Sequence, residues 1–303
     1  MSLKMFRISV WQWEVQLKYF GNAIRIQVSG KNMRLKSVLV EAREKSRILQ
    51  YCSFFIKKTK LKAEEKKFWS EPSKCDDIKK FKNAYMGKRC FIVATGPSLT
   101  VDDLLLISNE ISFGMNSIVK MYDKIKWRPT FYGIQDALVY EKLESVIKNE
   151  YATANNIFVA DNLKERFEIP SNFVRFPFNG CYHEAERDLS KYFAKFSDDA
   201  STVVYDGYSI TYSLIEIAVY MGFKEIYLLG ADCNYPKGEK NHFIESGFVD
   251  KNAASNPIRM RVGYQVAREY ADSHGIKIIN CTRGGMLETF ERMKLEDVLK
   301  EKK

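Results

Sequence analysis

The sequence predicts an α/β protein: a doubly wound, Rossmann-like, mostly parallel sheet preceded by a basic N-terminal extension. Three observations predict it. From residue 88 onward short apolar, β-prone runs alternate with stretches of helical periodicity. Small or polar residues follow one strand after another, as in Thr95-Gly96-Pro97-Ser98, Asn116-Ser117, Gln135-Asp136 and Asp232. The charge is also divided. Residues 1–90 hold 22 Lys and Arg against 8 Asp and Glu, while the remaining residues hold 26 against 30. Strands alternating with helices bury a parallel sheet between two helical layers, and such sheets take ligands at the carboxyl ends of their strands.

Residues 1–30 alternate apolar and polar. The runs Phe6, Ile8, Val10 and Ile24, Ile26, Val28 flank Gly21-Asn22 and predict a small β-hairpin. Residues 33–68 read as helix, with Leu35, Val38, Leu39, Ala42 and Leu49 on one side and Lys and Arg on the other. Tyr51, Phe54, Phe55 and Ile56 beside Lys57, Lys58, Lys60 and Lys62 make a basic amphipathic patch. That pattern fits either a peripheral contact with an anionic membrane or a helix packed on the main domain with its basic face in water. Ser70-Glu71-Pro72-Ser73 is the linker, and the chain divides into an extension over 1–80 and a Rossmann-like domain over 81–303.

The first core strand is Cys90–Ala94, entered through Lys88-Arg89 and broken at Thr95-Gly96-Pro97-Ser98 before a helix starting near Val101. Gly96 permits a sharp turn and close backbone approach, Pro97 stiffens it, and Ser98 or Thr100 can cap the helix. A helix N-terminus at that turn is suited to a phosphate; the alternative is an ordinary strand–helix corner. Further strands are predicted at Ile111–Met115, Thr130–Ile134, Ile157–Ala160, Phe173–Phe176, Glu225–Gly230 and Lys277–Asn280. Helices are predicted over 137–148, 183–196, 209–221 and 258–274.

Composition narrows the class. With 46% apolar and 28% charged residues the chain reads as globular. No apolar run approaches the roughly 18 residues of a membrane span, and Arg7, Glu14 and Lys18 interrupt any secretory signal. Cys52, Cys75, Cys90, Cys181, Cys233 and Cys281 are scattered without a CxxC pair, which points to reduced cysteines rather than zinc. No aromatic-plus-basic nucleic-acid module occurs, so the basic extension favours a membrane or a protein partner over nucleic acid.

The strand ends carry the candidate chemistry. Thr95, Gly96, Pro97, Ser98, Asn116, Asp136 and Asp232 would line one rim, with Asn280 a looser addition; each alone is equally a cap or turn former. Ser209 and Thr211 open the helix before the most apolar strand, as caps or as a phosphate contact. Of three histidines, His274 precedes Gly275 at a helix end and His183 has no strand end beside it. His242 follows Asp232 in a polar loop and is the candidate general base, or a residue that orients substrate.

Ala94-Thr95-Gly96-Pro97-Ser98-Leu99, the Asn after the second strand, the Asp after the third and Gly222-Phe223-Lys224-Glu225-Ile226-Tyr227-Leu228-Leu229-Gly230-Ala231-Asp232 together resemble a known group. They resemble the DUF115, or 6-hydroxymethylpterin diphosphokinase MptE-like, family over roughly residues 87–290. They also resemble the related family 42 bacterial sialyltransferases, with their GxGPSL start and GYKEIYLxGxD segment. The sialyltransferase resemblance implies that Gly96, Pro97, Ser98 and Asn116 bind a cytidine nucleotide. It implies a CMP-linked sugar donor, a glycan or lipid-linked acceptor and no required cofactor. The diphosphokinase resemblance implies diphosphate transfer from ATP to a pterin alcohol, with Mg²⁺ on carboxylates such as Asp136 and Asp232. The expectation is a sialyltransferase-like glycosyltransferase of bacterial surface polysaccharide synthesis, cytoplasmic and peripheral at the inner face of the plasma membrane. A pterin diphosphokinase and a non-catalytic relative are the alternatives.

Overall fold

The structure, a computed structural model of the chain, describes residues 5–10, 13–20, 23–28, 31–34, 47–70, 75–181, 194–234, 243, 244, 247 and 256–300. The chain divides into two compact units, Met1–Ala63 and Glu64–Lys303.

The first unit contains four strands, β1 (Met5–Val10), β2 (Trp13–Phe20), β3 (Ala23–Val28) and β4 (Lys31–Arg34), paired antiparallel in that order. Phe20 pairs with Ala23, so Gly21-Asn22 are the only residues between β2 and β3. A two-residue connection rich in Gly and Asn is the favoured hairpin turn. The two alternating runs expected to pair with each other are β1 and β3. The alternation continues through Trp13–Phe20, and β2 lies between them and pairs with both. Helix α1 (Arg47–Ser70) carries residues 47–68 of the helix expected over 33–68; Met33 and Arg34 pair in β4 instead, and 35–46 lie outside the described residues.

The second unit is built on one sheet. In chain order come β5 (Arg89–Val93), α2 (Val101–Leu106), β6 (Ser112–Met115), β7 (Phe131–Ile134), α3 (Ala137–Glu150), β8 (Ile157–Ala160) and β9 (Val174–Phe176). After them come β10 (Phe178–Asn179), β11 (Val204–Tyr205), α4 (Ile210–Tyr220), β12 (Glu225–Leu229), α5 (Asn256–Ser273), β13 (Lys277–Asn280), β14 (Glu291–Arg292) and α6 (Leu295–Lys300). The sheet order is β14-β13-β12-β5-β6-β7-β8-β9, with every pair parallel. The chain runs outward from β5 to β9, then returns to lay β12 on the other side of β5. The order therefore reverses between β5 and β12, which is where doubly wound sheets open a ligand crevice.

The central strands are continuous apolar runs because both their faces are covered. Cys90, Phe91, Ile92, Val93, Ile226 and Leu228 have no exposed surface. Helix α4 is buried from Ile210 through Ala218, which explains a sequence apolar on all sides. The helix expected over 183–196 falls largely on residues 182–193, outside the described residues; 194–196 are not helical. The strands β10, β11 and β14 and the helix α6 were not expected. The described cysteines Cys75, Cys90, Cys181, Cys233 and Cys281 are free thiols, as the scattered spacing predicts.

Candidate functional site

Past the end of β5 the ladder with β12 continues. The Ala94 amide donates to the Leu229 carbonyl and the Gly96 amide to the Gly230 carbonyl, both at 2.8 Å. This approach explains the glycine at 96. A Cβ there would fall on the Gly230 carbonyl and the Asp232 carboxylate. Gly96 thus serves the close passage of two chain segments at the switch point. Ser98 Oγ donates to Asp232 Oδ2 at 2.8 Å, tying the turn after β5 to the segment after β12.

Helix α2, which follows this turn, has a capped N-terminus. Thr100 accepts from the Asp103 amide while the Asp103 carboxylate accepts from the Thr100 amide, a reciprocal capping box. Asp102 and Asp103 occupy the first turn and oppose an anion there. Arg283 donates to Asp103 Oδ1 at 2.8 Å and to Glu296 at 2.6 Å, closing the corner with charge. Two of the amides that the phosphate expectation would use, those of Thr100 and Asp103, are thus taken by the capping box.

A cavity of about 400 Å³ opens over the carboxyl ends of β5, β6, β7 and β12. Of the residues the sequence singled out, Thr95, Gly96, Asn116, Asp136, Asp232, Ser209 and Thr211 line it. Pro97 and Ser98 do not, and Ser98 acts through Asp232. Asn280 also lies apart. Its amide donates to the Leu287 carbonyl and its Oδ1 accepts from the Thr282 amide, so it is a buried loop tie. His242 and His183 lie outside the described residues. Phe243, which follows His242 in the chain, donates its amide to the Thr95 carbonyl at 2.7 Å, and Ser117 donates its hydroxyl to the Ile244 carbonyl.

The lining is polar and, in part, unsatisfied. Asn116 follows β6 with φ of 47°, in the left-handed region that Asn tolerates better than other side chains. Its carbonyl accepts from the Tyr132 hydroxyl at 2.6 Å, while its side-chain Oδ1 is buried with no partner. Gln135 Oε1, after β7, and Asn162 Oδ1, after β8, are also buried without partners. Asp136 caps α3 by accepting from the Leu138 and Val139 amides at 2.7 and 3.0 Å. Ser209 caps α4, and the Thr211 hydroxyl is turned to Met115 Sδ at 3.3 Å. Asp206 accepts from the Tyr208 amide at 2.8 Å, and Tyr208 takes φ of 65° immediately before that cap. Burial pushes the thiol of Cys233, another lining residue, up to about 11, which keeps it protonated near neutral pH.

Several of these residues lay beyond the sequence reading. Asn162 sits just past a correctly predicted strand, and the strand-end rule that picked out Asn116 extends to it. Asp206, Tyr208, Asn256 and Tyr264 come from turns and a helix face that only the packing brings together.

The charged side chains lining the cavity, among the described residues, are all carboxylates: Asp136, Asp206 and Asp232. Asp136 and Asp232 follow β7 and β12, with β5 and β6 between them. At about 4.8 Å per strand their backbones are roughly 14 Å apart, too far to chelate one Mg²⁺ at about 2.1 Å. Nor do any three His, Cys, Asp or Glu among the described residues gather closely enough to hold a metal ion. Asp136 and Asp232 therefore do not chelate one Mg²⁺ together.

A family model described as 6-hydroxymethylpterin diphosphokinase MptE-like matches residues 64–238. Among solved structures, the MAf glycosyltransferase from Magnetospirillum magneticum AMB-1 is 20% identical at a TM-score of 0.42; the match covers 73% of this chain and 38% of that one. The sialyltransferase CstII from Campylobacter jejuni, in complex with the substrate analogue CMP-3FNeuAc, is 16% identical at a TM-score of 0.42, covering 68% of this chain and 86% of that one. CstII in complex with cytidine-5'-monophosphate is 12% identical at a TM-score of 0.34, covering 69% and 85%. No curated protein matches.

Proposed function

The chain belongs to the 6-hydroxymethylpterin diphosphokinase MptE-like family, and we propose that within it the chain is a sialyltransferase-like glycosyltransferase using a nucleotide-activated, CMP-linked sugar. One observation carries the reading: Asn116, Gln135 and Asn162, which all line one cavity at the switch point of the sheet, each hold a buried carboxamide oxygen with no partner among the described residues. Buried polar groups are ordinarily paired, so a site that leaves three unpaired is built for a ligand rich in hydrogen-bonding edges. A nucleotide is such a ligand.

In the proposed reaction an acceptor hydroxyl attacks the anomeric carbon of the donor. The carbon–oxygen bond to the nucleotide phosphate breaks, its electron pair leaves on the phosphate, and the hydroxyl proton passes to a base. His242 is the proposed base, because the chain is bonded to the cavity-lining Thr95 one residue after it. Its neutral imidazole suits that role near pH 7. Asp136 is proposed to contact sugar or acceptor. The acceptor is a glycan or lipid-linked glycan, and the setting is bacterial surface polysaccharide synthesis. Transfer of this kind needs no metal where protein donors stabilise the leaving phosphate.

The family's description favours a second reading, diphosphate transfer from ATP to a pterin alcohol. Calorimetric titration with CMP, a CMP-sugar, ATP with Mg²⁺ and hydroxymethylpterin separates the two. CMP should bind, and Asn116→Ala should weaken it by about 10- to 100-fold, the effect of losing one buried hydrogen-bond partner. His242→Ala should slow sugar transfer by about 10²–10⁴ while leaving CMP affinity intact. Binding of ATP and pterin in place of CMP would overturn the transferase reading and leave the diphosphokinase one.

A further inference from the structure

A phosphate entering this cavity meets Asp136, Asp206 and Asp232, and no Lys, Arg or His lines it among the described residues. Like charges disfavour an anion, and a cation just outside the lining would offset them. Helix α5 supplies one. It presents Asn256, Met260 and Tyr264 to the cavity, at intervals of one helical turn. Arg259 lies three residues after Asn256, on the same side of the helix.

Two observations mark Arg259 out. Its guanidinium carbon lies 5.5 Å from the centroid of the Tyr208 ring, and Tyr208 lines the cavity. It also has no ion pair or hydrogen bond among the described residues, and its Nε is buried without a partner. Arg268, Arg283 and Arg292 each take a carboxylate, whereas Arg261, two residues further along α5, has no ion pair among the described residues either. A guanidinium carries five donors in a planar fork, and a buried N–H such as Nε of the half-buried Arg259 is ordinarily satisfied. Stacking on an aromatic ring fixes that plane while leaving its edge free for two oxygens of one oxyanion. Tyr208 immediately precedes Ser209, the cap of α4. An oxyanion on Arg259 would thus lie near the positive end of an 11-residue helix.

We propose that Arg259, seated on the Tyr208 ring, is the phosphate-binding cation of this site and takes the phosphate of a bound nucleotide. The proposal rests on the nucleotide reading above, and its chemistry is that of a phosphate oxyanion whichever nucleoside carries it.

Full-length protein, wild type and Arg259→Gln, should be titrated calorimetrically with CMP, cytidine and inorganic pyrophosphate. Arg259→Gln should weaken CMP and pyrophosphate by about 10- to 100-fold, the effect of losing a charge-assisted pair. It should leave cytidine affinity and the unfolding midpoint unchanged. Arg259→Lys, which keeps the charge and loses the fork, should fall between. Equal CMP affinity in Arg259→Gln and wild type overturns the proposal. So does a loss of cytidine affinity as large as that of CMP, which would make Arg259 a wall of the pocket. Pyrophosphate binding that depends on Arg259 without any nucleotide binding upholds the oxyanion site and sinks the nucleotide reading. Wild type that binds neither CMP nor pyrophosphate overturns both.

Discussion

Glu216 is fully buried in α4, and each of its oxygens accepts a backbone amide, one from Ser197 and one from Tyr205, both at 2.7 Å. These bonds hold the chain that delivers Asp206 and Tyr208 to the cavity. Burial pushes the Glu216 carboxyl well above its ordinary value of 4.5, against the pull of the two amides. The folded chain therefore holds that proton more tightly than the unfolded chain does. By linkage, its contribution to stability is greatest at low pH and declines as pH rises from the ordinary carboxylate range toward the raised value. Glu216→Gln removes this decline but sets an amide NH₂ against one of the two backbone donors, costing about 1–3 kcal/mol. Urea unfolding of both proteins near pH 5 and about pH 8 should show the gap narrowing at the higher pH; a gap independent of pH would refute the assignment. Gly96 supplies a second test. From sequence alone a bulky residue there should cost ligand binding and spare the fold, because the turn Thr95–Ser98 is legible and its partner is not. Gly230 and Asp232 come far along the chain, and only the β5–β12 pairing sets them against Gly96. Gly96→Ala should therefore lower stability by about 1–3 kcal/mol through overpacking as well as weaken ligand binding. A wild-type melting curve would show that the two segments can part without cost.

At the scale of elements, α2 owes its start to Thr100 and Asp103, and Thr100→Ala should lower stability by about 1 kcal/mol in chemical denaturation. It should leave ligand affinity unchanged, because α2's capped end lies apart from the cavity lining; a matching loss of nucleotide affinity would return the phosphate to this helix. The core strands were legible because burial on both faces leaves runs such as Phe91-Ile92-Val93 and Tyr227-Leu228-Leu229 with no polar interruption. β10, β11 and β14 were not, since two residues give no periodicity to read. Strand order was illegible too. Nothing in Glu225–Leu229 itself says that it pairs with Arg89–Val93 rather than with the strand preceding it in the chain. The strand-end rule consequently found Thr95, Asn116, Asp136 and Asp232 one by one. The three empty carboxamides and Arg259 needed α4 and α5 laid against those ends.

Across the whole molecule the positive charge is confined. Residues 1–63, the first compact unit, hold 14 Lys and Arg against 3 Asp and Glu, and residues 64–303 hold 34 against 35. The excess basicity thus belongs entirely to the unit outside the region that the family model covers. In α1, Phe55 and Ile56 are 67% and 69% exposed, and Lys57, Lys58, Lys60 and Lys62 follow them in sequence. Large exposed apolar side chains beside lysines are the composition of a helix that lies in the face of an anionic bilayer. No helix among the described residues is long and apolar enough to cross a membrane. The attachment predicted here is to the surface, on the strength of that composition. Each basic residue near such a surface contributes about 1 kcal/mol, screened over about 10 Å at 0.1 M salt and about 3 Å at 1 M. Full-length protein should sediment with phosphatidylserine vesicles at low salt, stay in solution with neutral vesicles, and leave the anionic ones as salt rises. Reversing Lys57, Lys58, Lys60 and Lys62 to Glu should abolish sedimentation while leaving CMP titration unchanged, since the charge and the cavity lie in different units. Sedimentation that ignores salt and survives the reversal would assign the attachment to apolar contact alone. Protein that stays in solution with anionic vesicles at low salt would leave the basic unit to a protein partner, and would remove the membrane from the setting proposed for the transferase.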